Sequence, residues 1–354
     1  MNVKERFLNA FNGLKIDRIP FLSYPGLIFT GEFERELRNE GFGYYWIGSP
    51  LVIKNRKTER IITFFSRDGN EYMKVELKTE KGSIYEIWIV GGGYGSSLRK
   101  EFFIKNESDY EIFEYILRDE DLQLNRDLYK RLENDIGNDG VLISWVPKTP
   151  FQSLLYELIG PENYAFHMVD FKDRFLNLYG ILKKRYVKIC EILSESEFEF
   201  FEIADNITSE MIGVERFENF IVPIYKETCE IFHSKSKKIG SHMDGNLKIF
   251  KEIIKNIKLD FIDAFTPFPD TDLSLYEAKK EWKDKVIIIN YPSSVHIRSE
   301  KEIEKMTEKL IEEAYPCDRF MVNITENVPY EHIKKSFKII NKTLKKYGHV
   351  PKGG

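Results

Sequence analysis

The chain has 354 residues, 42% hydrophobic and 31% charged, and its 53 Lys and Arg against 57 Asp and Glu leave a formal net charge of −4. That is the balance of a globular protein without a basic stripe for nucleic acid, and no apolar run approaches the roughly 18 residues of a membrane span. The polar, amphipathic start MNVKERFLNAFNG is unlike a signal peptide, so a cytoplasmic protein acting on a small molecule is expected, with neither nucleic acid nor membrane as partner.

In chain order, Val3, Phe7, Ala10, Phe11 and Leu14 share one helical face, with Asn2 and Glu5 spaced as a capping box and Gly13 as the stop. DRIPFLSYPG then reads as a short buried strand, EFERELRNEGFG as a helix and YYWIG as a second strand. From about 51 to 104 apolar and polar residues alternate between Gly-rich breaks, which predicts a β-meander. GGGYG lacks the G-x-G-x-x-G spacing and opens no helix, so it reads as a hairpin loop rather than a phosphate cradle. Two helices, over 107–118 and 120–136, are expected to return the chain to the main body. The insertion thus spans about 51–136 of a single domain covering 1–354.

From residue 141 short apolar strands alternate with helices. Strands are predicted over 141–146, 198–203, 237–243, 259–265, 285–290 and 319–325, and helices over 149–195, 214–236, 246–257, 272–282, 299–315 and 330–347. With the two early strands this makes eight, the rhythm of an α/β protein built as a (β/α)8 TIM barrel with an N-terminal β-meander insertion; an open doubly wound sheet is the alternative. One such barrel with an insert accounts for the length. Cys190, Cys229 and Cys317 form no C-x-x-C pair, which argues for a reducing compartment without disulfides. Cys190 and Cys229 fall in helical patterns as inert thiols, whereas Cys317 lies in a loop at the wrong end of a strand for catalysis, its role open.

A barrel carries its site at the C-terminal ends of its strands, so the polar residues there are the candidates: Tyr24, Ser144, Trp145, Glu202, Asp205, Asn206, His242, Asp244, Asn246, Asp270, Asp272, Asn290, Tyr291, Thr325, Glu326 and Asn327. In KIGSHMDGNL, His242 and Asp244 stand two apart on an extended segment and project to the same side. With Glu326 from the closing strand they make a three-ligand set for a divalent ion. Two other readings stay open: Asp244 caps the helix starting near Asn246, and His242 is a rim histidine. His167, His233, His296, His332 and His349 lie in or beside helical patterns as surface or packing residues. No G-x-S-x-G elbow supports a nucleophilic serine, and FPDTD reads as a turn with Asp capping a helix, Asp270 remaining a substrate-binding candidate.

The segments KERFLNAFNGLKIDRIPF, PFQSLLYELIGPENYAFHMVD, EIADNIT, FENFIVPIYKETCEIFHSKSKKIGSHMDGN, FIDAFTPFPDTDLSLYEAKKEW and NVPYEHIKKSFKIINKTLKKYG, in this order and spacing, resemble the uroporphyrinogen decarboxylase superfamily. The resemblance implies the same barrel. It lacks the Arg- and Gly-rich clamp and the second-strand aspartate with which the decarboxylases hold a tetrapyrrole. It is closer to the methyltransferase branch, which exchanges methyl groups between a corrinoid protein and a thiol or other acceptor. That branch holds zinc through His-x-Cys on the fifth strand and a cysteine after the eighth; His242 is retained here, Asp244 replaces the first cysteine and Glu326 lies near the second. Two carboxylates for two thiolates preserve the ligand charge but favour harder ions, Zn, Mn, Fe or Mg.

The expectation is metal-assisted methyl transfer with a small corrinoid protein as partner. His242, Asp244 and Glu326 would hold the ion, Asp244, Glu326 and Tyr291 would be catalytic, and Tyr24, Trp145, Glu202, Asp205, Asn290 and Asp270 would bind substrate. The alternative is a metal-free decarboxylase or lyase of a small carboxylated or tetrapyrrole-like substrate using Asp244 and Glu326 as acid and base; a third reading is a non-enzymatic binding protein. Methyl donor and acceptor, metal identity and oligomeric state are not encoded in any motif.

Overall fold

The structure, a computed structural model, describes residues 1–92 and 96–348; residues 93–95 of the GGGYG segment and His349 lie outside the described residues. Strands β1 (Phe21–Ser23) and β2 (Gly43–Gly48) come first. The insertion contributes β3 (Leu51–Asn55), β4 (Glu59–Arg67), β5 (Asn70–Thr79), β6 (Gly82–Val90), β7 (Leu98–Glu101) and β8 (Glu120–Leu124). Then follow β9 (Gly140–Val146), β10 (Phe200–Ile203), β11 (Lys238–His242), β12 (Phe261–Phe265), β13 (Val286–Asn290) and β14 (Phe320–Ile324). The strands β1, β14, β13, β12, β11, β10, β9 and β2 pair in parallel in that ring order, and β2 returns to β1, closing the expected (β/α)8 barrel.

The barrel interior is sorted by height. Inward positions alternate along each strand, and the lower ones, Val141, Ile143, Phe200, Phe261, Val286, Ile288 and Met321, form one apolar cluster. The N-terminal helix Val3–Phe11 plugs this end: Asn2 and Glu5 cap it reciprocally, and Phe7 and Phe11 stand edge-on to Phe200 with centroids 5.4 and 4.9 Å away. Gly240 is required beneath His242, because a Cβ there would lie 2.4 Å from the ring of Phe261. One step higher the inward residues turn polar: Glu202, His242, Asp263, Asn290 and Asn323, with His242 in register with Asp263 and Asn290 with Asn323.

The insertion is a four-stranded antiparallel sheet in the order β4-β5-β6-β7 beside a two-stranded sheet of β3 and β8. Here the expected helix over 120–136 is corrected. Residues Glu120–Leu124 are a strand antiparallel to β3, and only Leu128–Ile136 is helical. In EDLQL the alternation puts Leu122 and Leu124 against the core, and cross-strand pairing with Leu51–Asn55 overrides local helix propensity.

All three cysteines are free and buried. Burial pushes the thiol of Cys229 up to about 12 and that of Cys317 to about 11, so neither is a ready nucleophile. Cys317 points its thiol at the carbonyl of Ile311, 3.6 Å away.

His296 is buried between the rings of Tyr291 and Phe337, with Nδ1 2.6 Å from Ser336 Oγ and no hydrogen-bond partner for Nε2 among the described residues. Burial lowers its pKa to about 3. A depressed histidine pKa means that the unfolded chain binds more protons between about 6.5 and 3, so stability falls as pH falls through that window, by up to about 1.4 kcal/mol per unit. Chemical denaturation of His296→Leu is expected to show a flatter acid limb than the wild type; superimposable limbs would refute the assignment.

Candidate active site at the barrel mouth

The polar layer opens into a cavity of about 710 Å³ at the C-terminal ends of the strands. Trp46, Ile47, Leu51, Trp145 and Val146 form an apolar wall, and His242, Asn206, Lys148, Glu157, Tyr24 and Thr325 supply polar groups. His242 sits on the floor, and its two ring nitrogens face two different sets of acids.

The Nδ1 side is buried. Asp263 Oδ2 and Glu202 Oε1 both lie 3.7 Å from Nδ1, and the hydroxyl of Tyr24 lies 3.3 Å from it. Tyr24 donates to Asp263 at 2.6 Å and Tyr45 donates to Glu202 at 2.6 Å, while Asn323 reaches the other oxygen of Asp263 at 3.4 Å. The Nε2 side opens toward the cavity, with Asp244 Oδ2 at 3.9 Å. One donor atom from each of His242, Asp244 and Glu326 lies within 4.8 Å of the others, and so does one from each of Glu202, His242 and Asp263.

Electrostatics follow from this crowding. Burial alone would lower the His242 pKa, but the carboxylates of Asp244, Asp263 and Glu202 outweigh it and hold the imidazole well above its ordinary range. Burial and the charge of Asp263 push Glu202 up to about 7. Asp244 is held below the usual carboxylate range, because the pairing with His242 and Asn206 overcomes its burial. Glu326 is raised by desolvation and by Asp244.

Among the described residues no Lys or Arg forms an ion pair with Glu202, Asp244, Asp263 or Glu326. Four acids around one imidazole therefore fit a cation. Zinc ligands lie about 2.0–2.2 Å from the metal, so bound donors stand within roughly 4.4 Å of one another; the His242, Asp244 and Glu326 set reaches that with a small side-chain movement.

The capping alternative for Asp244 falls to a different residue. The backbone N–H groups of Leu247 and Lys248 donate to Asp272 Oδ1 at 3.0 and 3.2 Å, whereas Asp244 Oδ2 accepts from Asn206 Nδ2 at 3.0 Å. Tyr24 and Trp145 line the cavity and Glu202 lies beneath it. Asn290 sits just below the rim, where its Oδ1 accepts from the backbone N–H of Thr325 at 3.1 Å beside Glu326.

Three expected site residues lie elsewhere. Tyr291 follows an inward residue and so points outward, donating to the Ile303 carbonyl at 3.0 Å. Asp205 is buried and braces the loop after β9, accepting from Thr149 N–H at 2.8 Å, the Thr149 hydroxyl at 2.9 Å and the Tyr225 hydroxyl at 2.9 Å. Asp270 is exposed and accepts from the backbone N–H and hydroxyl of Ser294.

Conversely, Asp263, Tyr45 and Asn323 are at the site from within their strands rather than beyond a strand end, and Lys148, two residues past the end of β9, joins the cavity lining. The available signal for Asp263 was its place in FIDAF: a carboxylate two positions from an inward Phe261 must itself face the barrel interior. A bulge between Ile262 and Phe265, with Ala264 at φ +55°, then turns Phe265 back to the outer core.

A sequence profile described as uroporphyrinogen decarboxylase (URO-D) matches residues 91–347. By structure, the chain is similar to a methyltransferase from Methanosarcina mazei, with a TM-score of 0.58 and 10% identity over 98% of this chain and 99% of that one. A putative vitamin-B12 independent methionine synthase from Listeria monocytogenes gives 0.41 and 13% identity over 60% and 64%, too low to compare residues. No curated protein matches the chain by sequence.

Proposed function

The chain belongs to the uroporphyrinogen decarboxylase family, and from that premise we propose that it is a metal-assisted methyltransferase taking its methyl group from a corrinoid carried by a small partner protein. One observation carries this reading: His242, Asp244 and Glu326 bring donor atoms within 4.8 Å of one another at the mouth of the barrel. The full-length likeness in fold to the Methanosarcina methyltransferase supports it.

Bound there, a divalent ion would supply Lewis-acid polarisation, lowering the pKa of a thiol or alcohol acceptor. The chain's own residues do the rest. The charges of Asp263 and Glu202 face the Nδ1 side of His242 across 3.7 Å and so favour Nε2 turning toward Asp244 and the cavity. Asn206 fixes Asp244. Trp46, Trp145 and Leu51 form an apolar wall that keeps water from the methyl group, and Lys148 and Glu157 offer polar contacts to the acceptor. In the transfer the methyl carbon bonds to the acceptor atom as its bond to cobalt breaks, the bonding pair staying with cobalt and the acceptor's proton passing to solvent.

The test is to supply methylated corrinoid and a simple thiol to protein loaded in turn with Zn, Mn, Fe and Mg, following corrinoid demethylation and thioether formation. Chelator-sensitive turnover with one of these ions is expected; no demethylation with any of them overturns the proposal. The carboxy-lyase reading has one observation of its own, that Asp244 is lowered and Glu326 raised, the split an acid–base pair needs. Release of carbon dioxide from a carboxylated substrate, undiminished by chelator, would favour it instead.

The shell behind His242 has its own expected result. Asp263→Asn keeps the shape and the Tyr24 contact but weakens the charge that orients the imidazole, so metal affinity is expected to fall about 10- to 100-fold. Competition against a chromophoric chelator measures this; unchanged affinity would remove Asp263 from that role.

A further inference from the structure

The sheet in the insertion ends at β4, a nine-residue strand whose second edge pairs with nothing among the described residues. An edge of this length is ordinarily blunted by charge, proline or a bulge. β4 reads ERIITFFSR: its charges, Glu59, Arg60 and Arg67, stand only at the ends, and there is no proline. Between them Phe64 is 66% exposed and Ile62 42%. Burial increases across the sheet away from this edge, Val75 in β5 and Ile84 and Glu86 in β6 being buried, so β4 is the side turned away from the body.

The backbone fixes which groups this edge offers. Arg67 pairs with Asn70 across a two-residue turn in which Asp68 has φ +50° and Gly69 φ +75°, the left-handed pair of a type I′ hairpin. The closing pair of such a hairpin exchanges both hydrogen bonds, so Arg67, Phe65, Thr63, Ile61 and Glu59 direct their backbone groups to β5. Ser66, Phe64, Ile62 and Arg60 direct theirs outward.

We propose that β4 pairs antiparallel with β4 of a second copy of this chain, about a two-fold axis through Thr63, joining the two sheets into one. The sequence is self-complementary about that point. Glu59 falls opposite the partner's Arg67, Ile61 opposite the partner's Phe65, and Ile62 opposite the partner's Phe64. The outward-facing backbone groups also match: Ile62 meets the partner's Phe64 and Arg60 meets the partner's Ser66, all four residues having free edge N–H and C=O groups, while Thr63 meets its own copy as a non-hydrogen-bonded pair. A register shifted by one residue would set outward groups against inward ones and would lose the Glu–Arg match. The pairing is isologous and closes at two copies, so it covers both exposed edges.

The test uses the full chain. Light scattering at tens of micromolar is expected to give twice the 41.9 kDa chain mass. Thr63→Lys puts like charges on the axis and is expected to halve the mass without changing the circular dichroism. Thr63→Cys is expected to cross-link to a covalent dimer under diamide, since opposed non-hydrogen-bonded positions lie within disulfide reach. Glu59→Cys alone is expected not to cross-link, but does so when mixed with Arg67→Cys. A monomeric wild type at these concentrations overturns the proposal, as does a dimer that Thr63→Lys leaves intact and that Thr63→Cys fails to cross-link.

Discussion

On the proposed reading, His242→Ala is expected to abolish metal binding at the barrel mouth and to reduce kcat/KM for methyl transfer by about 10³-fold or more, the equivalent of roughly 4 kcal/mol of transition-state stabilisation. Among the described residues no other side chain belongs to both acid clusters. Removing it takes away a proposed ligand and also the imidazole that Asp244, Asp263 and Glu202 face together. With Nε2 gone, Asp244 and Glu326 alone offer two oxygen donors, too few for a three-ligand site with an open position. Elemental analysis of the purified variant and the rate of corrinoid demethylation are the two readouts. A full metal equivalent together with unchanged kcat/KM would sink the metal reading. A full equivalent with lost activity would leave His242 at the site but give the ion to other ligands. Folding is checked separately by thermal denaturation, since His242 lies on the floor of the cavity rather than in the apolar cluster beneath it.

How much of this could be read from the chain depended on parity along the strands. The barrel rhythm was plain because its strands are short apolar runs set between amphipathic helices, and the structure ends them within a few residues of their expected bounds. The H-x-D pair was legible for the same reason, two residues apart on one side of an extended segment. The misreadings come from parity not carried far enough. Asn290 faces inward, so the next residue, Tyr291, has to face the helices, where its hydroxyl reaches Ile303. Phe261 faces inward, so Asp263 does too, although it sits inside an apolar strand rather than beyond its end. What no local pattern carries is closure. That Tyr24 just after β1 reaches Asp263 on β12, or that Asp272 caps Leu247, depends on which loops meet across the barrel mouth. The helix expected over 120–136 failed for a related reason: EDLQL becomes a strand only because β3, about 70 residues earlier, offers it an edge.

The second large effect is on stability, at Asp205. This carboxylate is fully buried and accepts three hydrogen bonds that tie the loop after β9 to the helix Val222–Ser234 through Thr149 and Tyr225. Asp205→Ala leaves the Thr149 N–H and hydroxyl without an acceptor, while Tyr225 retains Ser241 at 2.8 Å. Each stranded buried donor costs about 1–3 kcal/mol, so a loss of about 3–5 kcal/mol is expected, including the small void. Asp205→Asn retains an acceptor oxygen for Thr149 and is expected to cost much less. The pair also carries a pH signature. Burial raises the Asp205 pKa from 3.8 to about 6, against the lowering effects of Lys148, Thr149 and Tyr225. A raised carboxyl pKa means that the folded state holds its proton longer than the unfolded one, so this contribution to stability is present below about pH 4 and is lost as pH rises to about 6. Relative to Asp205→Asn, which has no such proton, the wild type should lose stability across that interval and run parallel above it. Urea unfolding of both proteins between pH 4 and 8 measures the difference. A constant offset throughout would mean that Asp205 is ionised at every pH in the range and that its hydrogen bonds, rather than its burial, set its charge.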